Sequence, residues 1–187
     1  TNGDEIGIVT GTRIVTVGEP VYSWYLRNWA GVDPQTGQPL WYVDGKEGAT
    51  TSVYSDANQT AQGVTAAPTF YGSANTRFDF FGAYISASMY YSTGNSVYDS
   101  WAYYTQSDGR FTFNVATGYA RQYDRWQQPG DISPNPQNIY GNTSASNSGS
   151  TRRLYDDTYW RLRDLTVGYN LPKDLVSKAK LSNVNLY

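Results

Sequence analysis

Between Pro68 and Thr93 apolar and polar positions alternate with a period of two. One set reads Phe70, Gly72, Ala74, Thr76, Phe78 and Phe80, and the interleaved set reads Tyr71, Ser73, Asn75, Arg77 and Asp79. Successive side chains of a strand point to opposite faces, so this pattern predicts a strand with one apolar or small face and one polar face. After Phe81-Gly82-Ala83 the alternation resumes, with Ile85, Ala87, Met89 and Tyr91 set against Tyr84, Ser86, Ser88 and Tyr90. The segment reads as a hairpin with a tight turn.

Each strand runs to about ten residues, the polar face is hydroxyl-rich and charged, and aromatic residues stand at the ends of the apolar face. Together these features describe the wall of a transmembrane barrel, with lipid outside and water inside. A soluble β-sandwich also alternates, but its strands average about 5–6 residues. Strand length and the aromatic ends favour the wall.

A second strand is expected from Thr158 to Leu171. Tyr159, Arg161 and Arg163 alternate with Trp160 and Leu162, after which Leu165, Val167 and Tyr169 carry the apolar phase. The phase slips by one residue near Asp164, as a β-bulge would produce. Pro172 closes the strand, and Lys173 to Lys178 reads as a short turn or a single helical turn before a final alternating stretch, Leu181 to Tyr187. Weaker strand candidates are Ile6 to Val17, Tyr22 to Trp29, Leu40 to Val43, Ser96 to Tyr104 and Arg110 to Tyr119.

The intervening segments are unequal. Gly45 to Ala66 is a long polar loop, and Trp126 to Arg152 begins with proline-containing turns and passes into the low-complexity run Gly141 to Ser150. Outer-membrane barrels combine short periplasmic turns with long extracellular loops. On that rule Phe81-Gly82 and the Pro172 turn face the periplasm.

Composition sharpens the picture. The 187 residues include 18 Tyr and only nine Leu, so the apolar material is aromatic and β-branched, suited to pleated surfaces and to headgroup levels of a membrane. There is no Cys and no His, which excludes disulfides, thiolate metal sites and histidine-based hydrolytic triads. Lys plus Arg number 14 against 16 Asp plus Glu, so no nucleic-acid partner is implied. No run of about 18 apolar residues is present, which argues against a transmembrane helix but not against strands of about 9–11 residues. The N-terminal residues Thr1 to Glu5 have neither a basic nor an apolar leader region, and the chain reads as an internal piece of a longer protein.

Several segments resemble SusC/RagA-like, TonB-dependent outer-membrane transporters. Asn28 to Trp41 is similar to the family's "aGvDP.tG.p.w" segment, Pro68 to Ser86 to its "P.f.GG..n.f.Y.gfdls" hairpin with Ser73 where a second Gly is common, and Arg125 to Asp131 to its "RW..PGD" segment. Leu154 to Pro172 resembles the "l.dgsYlRlknltlgYnLP" block. The motifs occur in the family's order across nearly the whole chain.

The resemblance implies an all-β, antiparallel transmembrane β-barrel, with residues 1–187 supplying an incomplete set of late strands of a 22-stranded plugged barrel. In that reading the chain is part of one TonB-dependent-receptor barrel domain whose plug and final strands lie outside these residues. The implied setting is the outer membrane of a Gram-negative bacterium. The implied partners are a SusD-like surface lipoprotein, the TonB complex acting through the plug, membrane lipid, and a glycan or peptide cargo. No cofactor and no catalytic role are expected, since transport breaks no bond.

Candidate cargo contacts are Tyr98, Trp101, Tyr103 and Tyr104, whose flat amphipathic rings suit sugar faces or peptide side chains, together with Trp126. The plainer reading of the same rings is an aromatic girdle or loop packing. Arg121, Tyr123, Arg125 and Trp126 form a second cluster with the same two readings. Arg161, Arg163 and Asp164 are expected as wall charges paired across strands. Asp156-Asp157 and Asp124 offer oxygens for calcium, without EF-hand spacing, and no metal site is assigned.

The leading expectation is active, TonB-energised import with a lipoprotein partner. A passive porin or structural outer-membrane protein is one alternative. A secreted carbohydrate-binding β-sandwich is another.

Overall fold

The computed structural model describes residues 7–111, 124–178, 180–181 and 184–187. In chain order the elements are β1 (Ile8–Thr10), β2 (Arg13–Val15), β3 (Ser23–Arg27), β4 (Trp29–Val32), β5 (Pro39–Tyr42), β6 (Thr50–Thr51), β7 (Gln59–Ala61), β8 (Phe70–Phe80), β9 (Ala83–Thr93), β10 (Ser96–Tyr98), the short helix α1 (Ala102–Thr105), β11 (Leu154–Asp156), β12 (Tyr159–Asn170), helix α2 (Lys173–Lys178) and β13 (Asn185–Leu186). The fold is all-β, and its strands pair antiparallel. Two compact units divide it, one of Ala67–Asn95 with Asp157–Tyr187, the other of Thr1–Ala66 with Ser96–Asp156.

The first unit is a sheet in the order β13-β12-β9-β8. Its register aligns the alternation of all three long strands. Phe78 stands opposite Ile85, Ala74 opposite Met89 and Gly72 opposite Tyr91, while Val167 stands opposite Ile85, Leu162 opposite Met89 and Trp160 opposite Tyr91. A one-residue slip would turn each set to the wrong face. The expected slip near Asp164 is a bulge between Leu162 and Asp164, and it keeps the Asp164 carboxylate on the polar side, opposite Ser88.

The tight turn closes through Phe81 and Gly82, both with positive φ (47° and 88°), the conformation a two-residue hairpin needs. The end of β12 lies beside it, with the Asn170 amide donating to the Gly82 carbonyl at 2.7 Å. The two segments expected on one side of the membrane thus share one end of the sheet. Lys173 to Lys178 is helical, with Val176 buried.

The apolar face of this sheet is bare. Phe70, Phe78, Phe80, Trp160, Leu162, Leu165 and Val167 are 53% to 73% exposed, far more contiguous apolar surface than a soluble monomer leaves uncovered. The 11 residues of β8 extend about 35 Å at roughly 3.3 Å each. Tilted by roughly 40°, they would span about 27 Å, close to the lipid-facing band of outer-membrane barrels.

The second unit consists of short sheets, β1-β2-β3-β7, β4-β5-β6 and β10-β11. Several strand expectations change here. Within the stretch expected from Ile6 to Val17, β1 and β2 form a small hairpin turning at Gly11, whose φ of 61° suits glycine, while Ile6 lies outside the described residues. Tyr22 to Trp29 breaks at Asn28, a buried residue whose Nδ2 donates to the Gly45 carbonyl and the Thr60 hydroxyl, both at 2.6 Å. Ser96 to Tyr104 is a strand only to Tyr98, because the Asp99 carboxylate accepts the Ala102 amide at 3.0 Å and starts α1. Most of the strand expected from Arg110 to Tyr119 lies outside the described residues, as do Arg121 and Tyr123.

Leu26 and Trp41 are fully buried in this unit. Trp29 and Tyr54 pack edge-on against Trp41, at 5.6 and 5.3 Å between ring centres. Ile14, Trp24, Ala57 and Ala102 are buried in this unit too, and many of its other buried residues are polar. Ser146, Asn147 and Ser150, read from the sequence as part of a low-complexity loop, are each at most 1% exposed.

Candidate functional site

The polar face of the sheet carries the wall's charges, and their pairing departs from the expectation. Arg77 and Asp79 form an ion pair along one strand at 2.9 Å, and the Arg77 guanidinium lies 3.9 Å from the ring centre of Tyr84 on β9. Arg161 and Arg163 form no cross-strand ion pair among the described residues. Instead their guanidinium carbons lie 5.0 Å from the ring centre of Tyr159 and 4.6 Å from that of Tyr90. Asp164 accepts the Thr166 hydroxyl at 2.9 Å. Cation–π contacts replace salt bridges because tyrosines, not carboxylates, are the neighbours within reach.

The five candidate cargo residues separate into three places. Tyr98 is packed 5.6 Å from Trp24 between ring centres, and burial pushes its phenol above the ordinary value. Trp101, Tyr103 and Tyr104 gather around α1 with Phe111, at ring-centre distances of 4.9 to 6.4 Å. Of these Trp101 is the most open, 74% exposed.

Trp126 stands elsewhere, and the structure shows why its motif is present. Its indole N–H donates to the Pro34 carbonyl at 2.8 Å. Its ring covers Gly37, where a Cβ would fall 2.4 Å from ring atoms. The Gly130 amide donates to the same Pro34 carbonyl at 2.8 Å, and the Asp131 carboxylate accepts the Gln127 and Gln128 amides. The Asp33-to-Gly37 turn and the Arg125-to-Asp131 segment therefore clasp each other. Asp33 closes its own turn, and the Thr36 hydroxyl at 2.6 Å, with the Gln35 amide, holds its carboxyl below the usual range.

Sequence reading did not anticipate a buried ion pair nearby. Arg152 donates to both oxygens of Asp108, at 2.6 and 3.1 Å, and to Asn135 Oδ1 at 3.0 Å. Its guanidinium also faces Trp29 at 4.9 Å. The next residue, Arg153, is 2% exposed, and its Nη2 donates to the Asn147 and Ser148 carbonyls. Burial pulls its guanidinium below the ordinary value. The only advance signal was the pair Arg152-Arg153 closing a serine- and asparagine-rich run, a composition that offers carbonyls and hydroxyls to a buried cation.

Beside the ion pair lies a cleft of roughly 450 Å³ lined by Trp29, Asp124, Pro134, Asn135, Thr151 and Arg152. A second, of roughly 420 Å³, runs past Pro39, Val53, Gln137, Ile139 and Asn142. Such volumes fall within the range of small-ligand clefts. Neither cleft contains any of the five candidate rings. Among the described residues no cluster of three or more His, Cys, Asp or Glu side chains is placed to hold a metal ion.

No protein-family model and no curated protein matches the sequence. Solved structures do resemble the fold. The RagAB peptide transporter aligns with a TM-score of 0.77 at 22% identity, covering 96% of this chain and 20% of the solved one. The RagAB peptide importer aligns in its "open-open" state with a TM-score of 0.70 at 22% identity, over 95% of this chain and 19% of that one. In its "closed-closed" state the values are 0.67, 23%, 95% and 20%. The chain thus shares the fold of a segment of these solved chains and spans about a fifth of their length.

Proposed function

We propose that this chain forms part of the wall and the extracellular loops of a SusC/RagA-like importer in the outer membrane of a Gram-negative bacterium, energised through TonB and capped by a SusD-like lipoprotein. The observation that carries the reading is the β8-β9-β12 sheet, polar on one side and bare, aromatic-ended and apolar on the other, at the length a membrane requires. The ordered sequence motifs and the likeness to a peptide importer support it. In this role the chain contributes wall, loops and cargo contacts and makes or breaks no covalent bond. The cargo is a glycan or peptide oligomer, and the fold resemblance favours peptide.

The test is uptake of fluorescent oligopeptides and oligosaccharides by cells carrying or lacking the full-length gene. Import that needs the gene and stops when the proton-motive force is collapsed supports the importer. Uptake that persists after collapse identifies a passive pore, and a soluble, cooperatively unfolding product of residues 1–187 would point to a secreted sandwich.

A further inference from the structure

The polar face of the wall holds two guanidinium groups that no carboxylate neutralises among the described residues. Arg161 and Arg163 rest on Tyr159 and Tyr90, rings that themselves approach to 6.0 Å. On that face Asp79 is paired with Arg77, and Asp164, which accepts the Thr166 hydroxyl, forms no ion pair with either arginine among the described residues. A ring under a guanidinium covers its flat face and leaves the N–H edge open, and that edge is what grips a carboxylate in two parallel hydrogen bonds. Stacking also fixes the fork's direction, so less freedom is lost when a ligand is held.

Position and spacing narrow the ligand. Tyr159 pairs with Ser92 and Arg161 with Tyr90, at the end of the sheet away from the Phe81-Gly82 turn. In the importer reading, on which this inference rests, that end is the upper lumen, where cargo enters. The two arginines are two residues apart on β12, with Arg163 at the bulge between Leu162 and Asp164, so their backbone positions are at most about 7 Å apart, within reach of alternate side chains of an extended peptide.

We propose that Arg161 and Arg163 form a recognition site for carboxylates of extended peptide cargo bearing acidic residues at alternate positions. The test uses the purified full-length transporter in detergent and two N-acetylated, C-amidated pentapeptides, one with aspartates at its second and fourth positions and one with asparagines there. Calorimetry at low salt is expected to show the acidic peptide bound about tenfold or more tightly than its isostere. The double variant R161Q/R163Q is expected to bring the two affinities within about twofold, and a peptide with adjacent aspartates to bind more weakly than the alternating one.

If the glutamine variant does not assemble, R161K/R163K keeps the charge without the planar fork, and its preference should fall to severalfold. In the unmodified protein added salt should shrink the preference as well. An affinity ratio near one in the unmodified protein, or a preference retained by an assembled R161Q/R163Q variant, overturns the site and leaves these arginines as partners of the barrel's own interior. Failure of the importer reading would show separately, as absent uptake of both peptides with the binding preference intact.

Discussion

Arg152 and Asp108, 44 residues apart in sequence, meet in a two-pronged ion pair whose side chains are 7% and 10% exposed. Ser146 reinforces it, donating its hydroxyl to the same carboxylate at 2.6 Å. Removing one partner strands a buried charge, at a cost of about 3–5 kcal/mol. Asp108→Asn in the full-length protein should therefore loosen the Gly141 to Ser150 run, seen as faster amide exchange there with little change in β9 and β12. Unaltered protection of that run would mean the pair does not hold it.

The two faces of the sheet should respond oppositely to added charge. Leu165 faces outward near the middle of β12, and Ser88, paired with Asp164, faces inward at a similar height. Leu165→Arg should cost about 2–4 kcal/mol of folding free energy in lipid vesicles, the figure for a cation at mid-bilayer on the lipid side, and Ser88→Arg much less. Equal tolerance of both would contradict the orientation of the wall.

Gly168 is pressed between Tyr84 and the strand edge. A Cβ there would fall 2.4 Å from the Tyr84 ring and 2.6 Å from the Leu186 carbonyl. Gly168→Ala should destabilise the barrel by about 1–3 kcal/mol, the usual scale for overpacking, and lower its urea midpoint. The double change Gly168→Ala with Tyr84→Ser should recover part of the loss.

The Asp33 turn carries a pH dependence of defined sign. Its carboxyl titrates below the ordinary value in the folded turn, so its stabilisation is present above the unfolded carboxyl value of about 4 and is lost as pH falls through the folded one. Amide exchange of residues 35–37, corrected for its intrinsic pH dependence, should rise on acidification below pH 4. Asp33→Asn should abolish that rise.

The legible and illegible parts of this fold differ in physics. The Phe70 to Tyr91 hairpin could be read residue by residue, because a sheet with one apolar and one polar face imposes a strict period of two. The bulge at Arg163 was legible for the same reason, as a break in that period. The loop unit follows no such rule. Asn147 and Arg153 are buried while donating to backbone carbonyls, and such bonds leave no periodic trace in a run of Ser, Asn and Gly. Trp126 was visible as a motif but not as a clasp, since its partner Pro34 lies 92 residues away. Tyr98, Trp101, Tyr103 and Tyr104 share a ring chemistry that the sequence displays, whereas the packing of Tyr98 on Trp24 and the exposure of Trp101 arise from the tertiary fold.

The Phe81-Gly82 turn also sets where this chain can be lengthened. With the Asn170 carbonyl 3.0 Å from the position a Gly82 Cβ would take, that end has no room for an inserted epitope or fluorophore-binding tag. Gly48, with a φ of 100° and nothing within 4 Å of its Cβ position, is the place for a surface label, and natural length variation should be tolerated there as well.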